Sequence, residues 1–130
     1  MGAFEMTVTV TADDLDDLDH VNNVRYVQWI QDVSKAHWES KAPQELKENM
    51  IWVVINHNIT YSSSAKLNDL IFIRTHIEKT RGAISVRIVE MFLSETGQAL
   101  VTAKTEWCLL NATTLKPVRV PKDIQHIFTS

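Results

Sequence analysis

The segment from Asp13 to Glu39 constrains the fold of this chain more than any other. Five aspartates within seven positions are followed by His20, by two asparagines, and then by a run of regularly spaced apolar residues. The apolar positions of that run are Val24, Tyr26, Val27, Trp29, Ile30, Val33 and Ala36. This spacing predicts an amphipathic helix about 25 Å long at ~1.5 Å per residue. Asn22 or Asn23 begins the helix, because an amide side chain accepts hydrogen bonds from unpaired helix-start N–H groups.

The start of this predicted helix is suited to stabilising negative charge. Its unpaired N–H groups and the positive end of its dipole favour an oxygen that becomes negative. Asp16 and His20 lie just upstream, in a loop that must fold near that end. A carboxylate or imidazole beside such donors is what acyl transfer requires. The loop–helix junction is therefore the first candidate for a catalytic site.

The remainder of the chain has a different period, with apolar and polar residues alternating. Strands are expected at residues 4–11, 50–61, 70–79, 84–93 and 99–110, with a short terminal helix starting at Pro121. In the fourth strand the apolar residues change parity, which indicates a bulge near Val89-Glu90 or a strand covered on both faces. Tight turns between strands imply antiparallel neighbours. We therefore predict an α+β fold, with residues 1–130 forming a single domain.

Several of these strands carry apolar residues on both faces. One face of the second strand is expected to hold Ile51, Val53, Ile55, His57, Ile59 and Tyr61. The opposite face holds Trp52 and Val54. One helix covers one face of a sheet, so a second subunit is the expected cover for the other. We expect a homodimer or a homotetramer.

Composition excludes several classes of protein. A net charge of −3 without a dense Lys/Arg cluster gives no reason to expect nucleic-acid binding. The longest apolar run, residues 50–55, is far short of the ~20 residues that span a membrane. The single Cys108 forms no internal disulfide, and the N-terminus has no signal-peptide pattern. We expect a cytoplasmic protein with no membrane partner.

Two further interpretations of the aspartates remain open at this point. In the first interpretation the five aspartates form a solvated acidic loop, and in the second they form a calcium-binding loop. The spacing lacks the central glycine and distal glutamate of an EF-hand. The other histidines lack metal-ligand spacing, so no metal site is expected. Candidate cations for phosphate groups are Lys66, Arg74, Arg81, Arg87 and Arg119.

One motif resembles a known family. Asp16 stands four residues before His20-Val21-Asn22-Asn23, and Tyr26 follows three residues later. Together with Asp14-Leu15-Asp16, this pattern resembles the hotdog-fold thioesterases, in the branch of hydroxybenzoyl-CoA thioesterases, short acyl-CoA thioesterases and plant acyl-carrier-protein (ACP) thioesterases. The resemblance implies an antiparallel sheet of about five strands wrapped around one long central helix. It also implies a thioester hydrolase that uses no cofactor.

The resemblance assigns a role to each motif residue. Asp16 attacks the thioester carbonyl or activates a water for that attack. His20 orients the substrate, hydrogen-bonds the carboxylate or protonates the leaving group. The Asn23 backbone N–H polarises the carbonyl, and Asn22 and Tyr26 are substrate-binding candidates. The expected reaction is hydrolysis of acyl-CoA at a site between subunits.

Two rival functions stay open. Leu18 stands where the ACP enzymes have an asparagine, although the motif otherwise favours an ACP thioesterase. Asp19 stands where many acyl-CoA enzymes have a glycine. These two departures also fit a non-catalytic module that binds acyl-CoA through the same fold.

Overall fold

The computed structural model describes residues 2–129 of the chain. The elements in order are β1 (Phe4–Thr9), α1 (Asn23–Lys41), α2 (Gln44–Asn49), β2 (Met50–Tyr61), β3 (Leu70–Arg81), β4 (Ile84–Leu93), β5 (Ala99–Asn111) and α3 (Lys122–Thr129). The strands form one antiparallel sheet in the order β1-β3-β4-β5-β2. The predicted α+β class, the five strands and the long helix are confirmed.

Helix α1 buries most of the stripe that its apolar spacing suggested, including Trp29, but not the first position of that stripe. Tyr26, Ile30, Val33 and His37 are almost completely buried, whereas Val24 is 73% exposed. Val24 was expected in the buried stripe, and that prediction was wrong. The first turn of the helix lies at the surface, so burial starts at Tyr26 and continues as far as His37.

Two clusters of buried residues fill the space between the sheet and the helices. The first joins the N-terminal half of α1 to the inner face of the sheet and includes Ile30, Ile73 and Met91. The second lies near the other end of α1, where Ile124 and Phe128 of α3 pack in the same cluster as Leu109 of β5. The terminal helix predicted after Pro121 therefore exists, and it closes this end of the core.

A register shift in β2 changes which of its residues face inward. Val54 pairs with Trp107 and Asn56 pairs with Glu106, which leaves Ile55 outside the pairing. Elsewhere β2 and β5 pair residue by residue. The inward-facing residues of β2 therefore have even numbers before this bulge and odd numbers after it. The prediction of one continuous face from Ile51 to Tyr61 was wrong for this reason. Ile55 is 54% exposed as a result.

The expected bulge at Val89-Glu90 in β4 is absent. Both residues keep regular partners on β3 and β5. Val86 and Val89 have opposite parity, and both are buried. The other interpretation, a strand covered on both faces, therefore describes β4 around Val86, whereas Ile88, Glu90 and Phe92 are half-buried.

No helix within residues 2–129 is long and apolar enough to cross a membrane.

Candidate active site

The segment between β1 and α1 folds back on itself around Asp16. The Oδ1 atom of Asp16 accepts hydrogen bonds from the backbone N–H groups of Leu18 at 2.9 Å and His20 at 3.1 Å. The N–H of Asp16 donates to the His20 carbonyl at 2.7 Å. Asp19 closes the turn with φ of 60°, a conformation that aspartate tolerates better than most residues. One carboxylate oxygen is thus held in place, and Oδ2 has no hydrogen-bond partner among residues 2–129.

Asp14 has a structural role instead. Its side chain accepts hydrogen bonds from the N–H and hydroxyl of Thr11 and forms an ion pair with Arg25 at 2.9 Å. Its carbonyl accepts from the N–H of Asn22 at 2.8 Å. These contacts tie the end of β1 to the start of α1. The aspartate cluster therefore contains one buried structural carboxylate, one oriented carboxylate at Asp16, and three exposed side chains.

The calcium-loop interpretation gains no support from this arrangement. No group of three His, Cys, Asp or Glu side chains in the described part of the chain is placed to hold a metal ion.

The start of α1 leaves one backbone amide available. The Asn22 side chain accepts from the N–H of Val24 at 3.0 Å, and the Asn22 carbonyl accepts from the N–H of Arg25 at 2.8 Å. Asn22 is thus the helix cap, and it is one of the two residues that the sequence predicted for this position. Within residues 2–129, the N–H of Asn23 has no hydrogen-bond partner. It is a free donor at the positive end of the helix dipole.

His20 and Tyr26 occupy different environments. His20 is half-buried, and its backbone bridges to Lys66 in the segment that precedes β3. Tyr26 is buried, and its hydroxyl accepts a hydrogen bond from the Ala65 N–H at 3.0 Å. Burial raises the pKa of the Tyr26 phenol. The structure therefore places Tyr26 as a support that links α1 to the loop beside His20, and its predicted substrate contact stays a prediction.

A cavity lies elsewhere in the described part of the chain. It has a volume of about 410 Å³ and lies against the C-terminal half of α1, between that helix, the sheet and α3. Asp16, His20 and Asn23 do not line it. The buried Arg87 belongs to the cavity lining and contacts His37 of α1. His37 lies fourteen residues after Asn23, about 21 Å along a helix that rises ~1.5 Å per residue. No local sequence pattern indicated this cavity, because its lining comes from seven separate elements.

Three of the five candidate cations for phosphate groups are already engaged or enclosed. Arg74 pairs with Glu90 at 2.9 Å, and Arg81 pairs with Glu106 at 3.0 Å. Arg87 is 6% exposed. Lys66 and Arg119 are exposed, and Lys66 alone is bridged to the candidate site through His20.

Comparison with known proteins gives a consistent result. A sequence model of the family described as Acyl-ACP thioesterase N-terminal domain matches residues 2–128. No curated protein sequence matches this chain. A probable thioesterase from Bartonella henselae of known structure is 26% identical, with a TM-score of 0.78 over 92% of this chain and 98% of that chain.

Two more distant structures share the fold. A 4-hydroxybenzoyl-CoA thioesterase mutant complexed with 4-hydroxybenzoyl-CoA has a TM-score of 0.90 at 17% identity, over 99% of this chain and all of that chain. The 12:0-ACP thioesterase from Umbellularia californica has a TM-score of 0.83 at 14% identity, over 97% of this chain and 49% of that chain. The predicted hotdog fold is confirmed.

Proposed function

We propose that this chain, which belongs to the Acyl-ACP thioesterase N-terminal domain family, is a thioester hydrolase that cleaves acyl-CoA to the free acid and CoA. The observation that carries this proposal is the geometry of Asp16. Within residues 2–129, two backbone amides hold Oδ1, Oδ2 has no hydrogen-bond partner, and the unpaired Asn23 amide begins the helix that follows. A preorganised carboxylate seven residues before a free amide donor at a helix start is suited to attack at a thioester carbonyl.

The reaction proceeds by one of two routes from this arrangement. In the first, Asp16 takes a proton from water as the water oxygen attacks the carbonyl carbon. In the second, Asp16 attacks directly, and water hydrolyses the resulting mixed anhydride. In both routes the Asn23 N–H donates to the developing oxyanion, the C–S bond breaks, and the thiolate of CoA receives a proton. His20 serves as orienting group or proton donor in either case.

CoA is the carrier that we favour. Lys66 supports this choice, because it is exposed and its backbone bridges to His20, where it can meet a phosphate group. The 4-hydroxybenzoyl-CoA thioesterase neighbour was crystallised with a CoA ester, whereas the Umbellularia neighbour acts on a 12:0 acyl group on ACP. Turnover of one acyl chain on the two carriers separates these candidates. A faster reaction on ACP would overturn the choice of CoA.

We propose that the active form is a homodimer or homotetramer with its site between subunits. Asp16 does not line the cavity of about 410 Å³ within the single chain, so a wall from a second copy is a natural complement. Ile51 and Ile55, on the edge strand β2, are 39% and 54% exposed and offer an apolar surface for that copy. Light scattering should give a mass of two or four times 14.9 kDa, and a monomer that is fully active would exclude this assembly.

The direct test of the proposed chemistry is Asp16→Asn. Asparagine keeps an oxygen that can accept from the Leu18 and His20 amides, so the turn and the fold should persist. It cannot act as base or nucleophile, and kcat should fall by about 10²–10⁴-fold. Thiol release from a panel of acyl-CoA substrates measures this directly.

Asp17→Asn is the matched control, because the Asp17 side chain is exposed and makes no described contact. It should change kcat by less than about twofold, as expected for an exposed surface charge. Wild-type turnover by Asp16→Asn would remove Asp16 from the mechanism. Tight acyl-CoA binding by the unmodified protein without thiol release would instead favour the non-catalytic module.

A further inference from the structure

Arg87 is a buried cation that has no carboxylate partner among residues 2–129. It extends from β4 and is 6% exposed. Its Nη1 atom donates to His37 Nδ1 at 2.9 Å and to Thr75 Oγ1 at 3.0 Å. The Thr75 hydroxyl in turn donates to the Ile88 carbonyl at 2.8 Å, which leaves its oxygen free to accept from Arg87. Both hydrogens of Nη1 are therefore used, and both of these partners are uncharged groups.

His37 is neutral in this arrangement. Burial lowers the pKa of His37 to about 3, and the nearby positive charges of Arg87 and Lys41 act in the same direction. Because Nδ1 accepts from Arg87, the ring hydrogen is on Nε2. The charge of the guanidinium is consequently not balanced by its hydrogen-bond partners.

The remaining three N–H donors of Arg87, on Nε and Nη2, have no partner among residues 2–129. A guanidinium presents Nε and Nη2 side by side, in the geometry that accommodates the two oxygens of a carboxylate. Arg87 lines the cavity of about 410 Å³. Its Nε and Nη2 are not among the fully buried unpaired atoms, so we infer that these donors can be reached from the cavity. The volume lies within the ~300–1,000 Å³ of pockets that bind small molecules.

The other side chains of the cavity favour an anion with an apolar body. The charged residues of the lining are Arg87, Lys35, Lys47 and Glu39. Glu39 already faces Lys47 at 3.6 Å, so no unpaired carboxylate competes for Arg87. Much of the remaining surface is aromatic or aliphatic: Trp38, Trp52, Trp107, Ile77, Ile124 and Phe128. A flat or extended hydrocarbon can pack against this wall.

We propose that this cavity binds an organic carboxylate, with its hydrocarbon body against the tryptophans and its two oxygens on Nε and Nη2 of Arg87. A buried charge costs folding free energy unless a partner compensates it, and a bound carboxylate supplies that partner. The carboxylate belongs either to a free acid or to the far end of an acyl group that carries a second carboxyl. The second source rests on the proposed thioesterase function, and the first does not.

The free-acid source is tested by calorimetric titration with decanoate and with decanamide, its uncharged counterpart. The wild-type protein should bind decanoate at least tenfold more tightly. Arg87→Met should remove that preference and keep the weaker binding of decanamide, which shows that the cavity survives the substitution. Arg74→Met, which removes an arginine from the outer face of β3, should preserve the preference. Asp16→Asn should also preserve it, so a failure of the proposed catalysis is distinguishable from a failure of this site.

The second source is tested by comparing kcat/KM for hexadecanedioyl-CoA and hexadecanoyl-CoA, because the far carboxyl must span the ~21 Å from Asn23 to His37. A preference for hexadecanedioyl-CoA that Arg87→Met abolishes, without decanoate binding, assigns the site to the substrate. If Arg87→Met does not fold, Arg87→Lys replaces it, and the loss of the planar fork should reduce the preference without removing the charge. Equal binding of decanoate and decanamide by the wild type, together with equal turnover of the two CoA esters, would overturn the proposal.

Discussion

Asp16 accepts a hydrogen bond of 3.1 Å from the backbone N–H of His20, while the Asp16 N–H donates to the His20 carbonyl at 2.7 Å. The two residues proposed for the chemistry therefore fix each other through the backbone. Their relative position depends on the Asp16 side chain itself, so the carboxylate has a structural role besides its proposed catalytic one.

Asp16→Ala should consequently be less stable than Asp16→Asn. Alanine removes the acceptor of two backbone amides, those of Leu18 and His20. Because the turn is partly solvated, we expect a loss of about 1–2 kcal/mol in the free energy of unfolding, against less than about 0.5 kcal/mol for asparagine. Urea denaturation of both variants measures the difference. Equal stabilities would show that the turn does not depend on this side chain.

Tyr26→Phe isolates the second support of the site. The Tyr26 hydroxyl is the acceptor for the buried Ala65 N–H, and phenylalanine leaves that donor unsatisfied. The free energy of unfolding should fall by about 1–3 kcal/mol, the usual cost of an unpaired buried polar group. Urea denaturation is again the measurement.

Tyr61→Phe is the matched control for this substitution. Tyr61 contacts the Tyr26 ring, but it is 41% exposed and its hydroxyl has no hydrogen-bond partner among the described residues. Its loss should cost less than about 0.5 kcal/mol. If the two variants were equally destabilised, the Tyr26–Ala65 hydrogen bond would not be the cause.

The parts of the fold that follow from short-range pattern were predictable from the sequence. The alternation in β1 and the cap at Asn22 depend on neighbouring residues alone, and both are present. The bulge at Ile55 was not predictable in this way. Met50 to Ile55 is an unbroken apolar run, so its alternation gives no sign of which side chains face inward. The register is decided by pairing with β5, which lies about 50 residues away.

The same distinction separates the two candidate sites. Asp16, His20 and Asn23 lie within eight consecutive positions, so their proximity follows from the sequence. Arg87 meets His37 and Thr75 only through packing of β4 against α1 and β3. In the sequence Arg87 was one of five cations without any feature that distinguished it. Burial is what sets it apart.

The buried His37 gives the stability of this protein a specific dependence on pH. The folded chain keeps His37 uncharged until about pH 3, whereas the unfolded chain protonates it near its ordinary pKa of 6.5. Between these values the unfolded state binds more protons, so the free energy of unfolding falls as the pH falls. Burial also lowers the pKa of His57, which adds a contribution of the same sign.

His37→Gln separates the contribution of His37 from the rest. Glutamine does not titrate, and its carbonyl oxygen can accept from Arg87 Nη1 in place of Nδ1. Between pH 7 and pH 5 the wild-type protein should lose about 2 kcal/mol more of its free energy of unfolding than the variant does. Urea denaturation at a series of pH values measures both slopes, and a change in absolute stability of the variant does not affect the comparison. Identical slopes would mean that His37 is protonated in the folded protein, and that its ring nitrogen does not accept from Arg87.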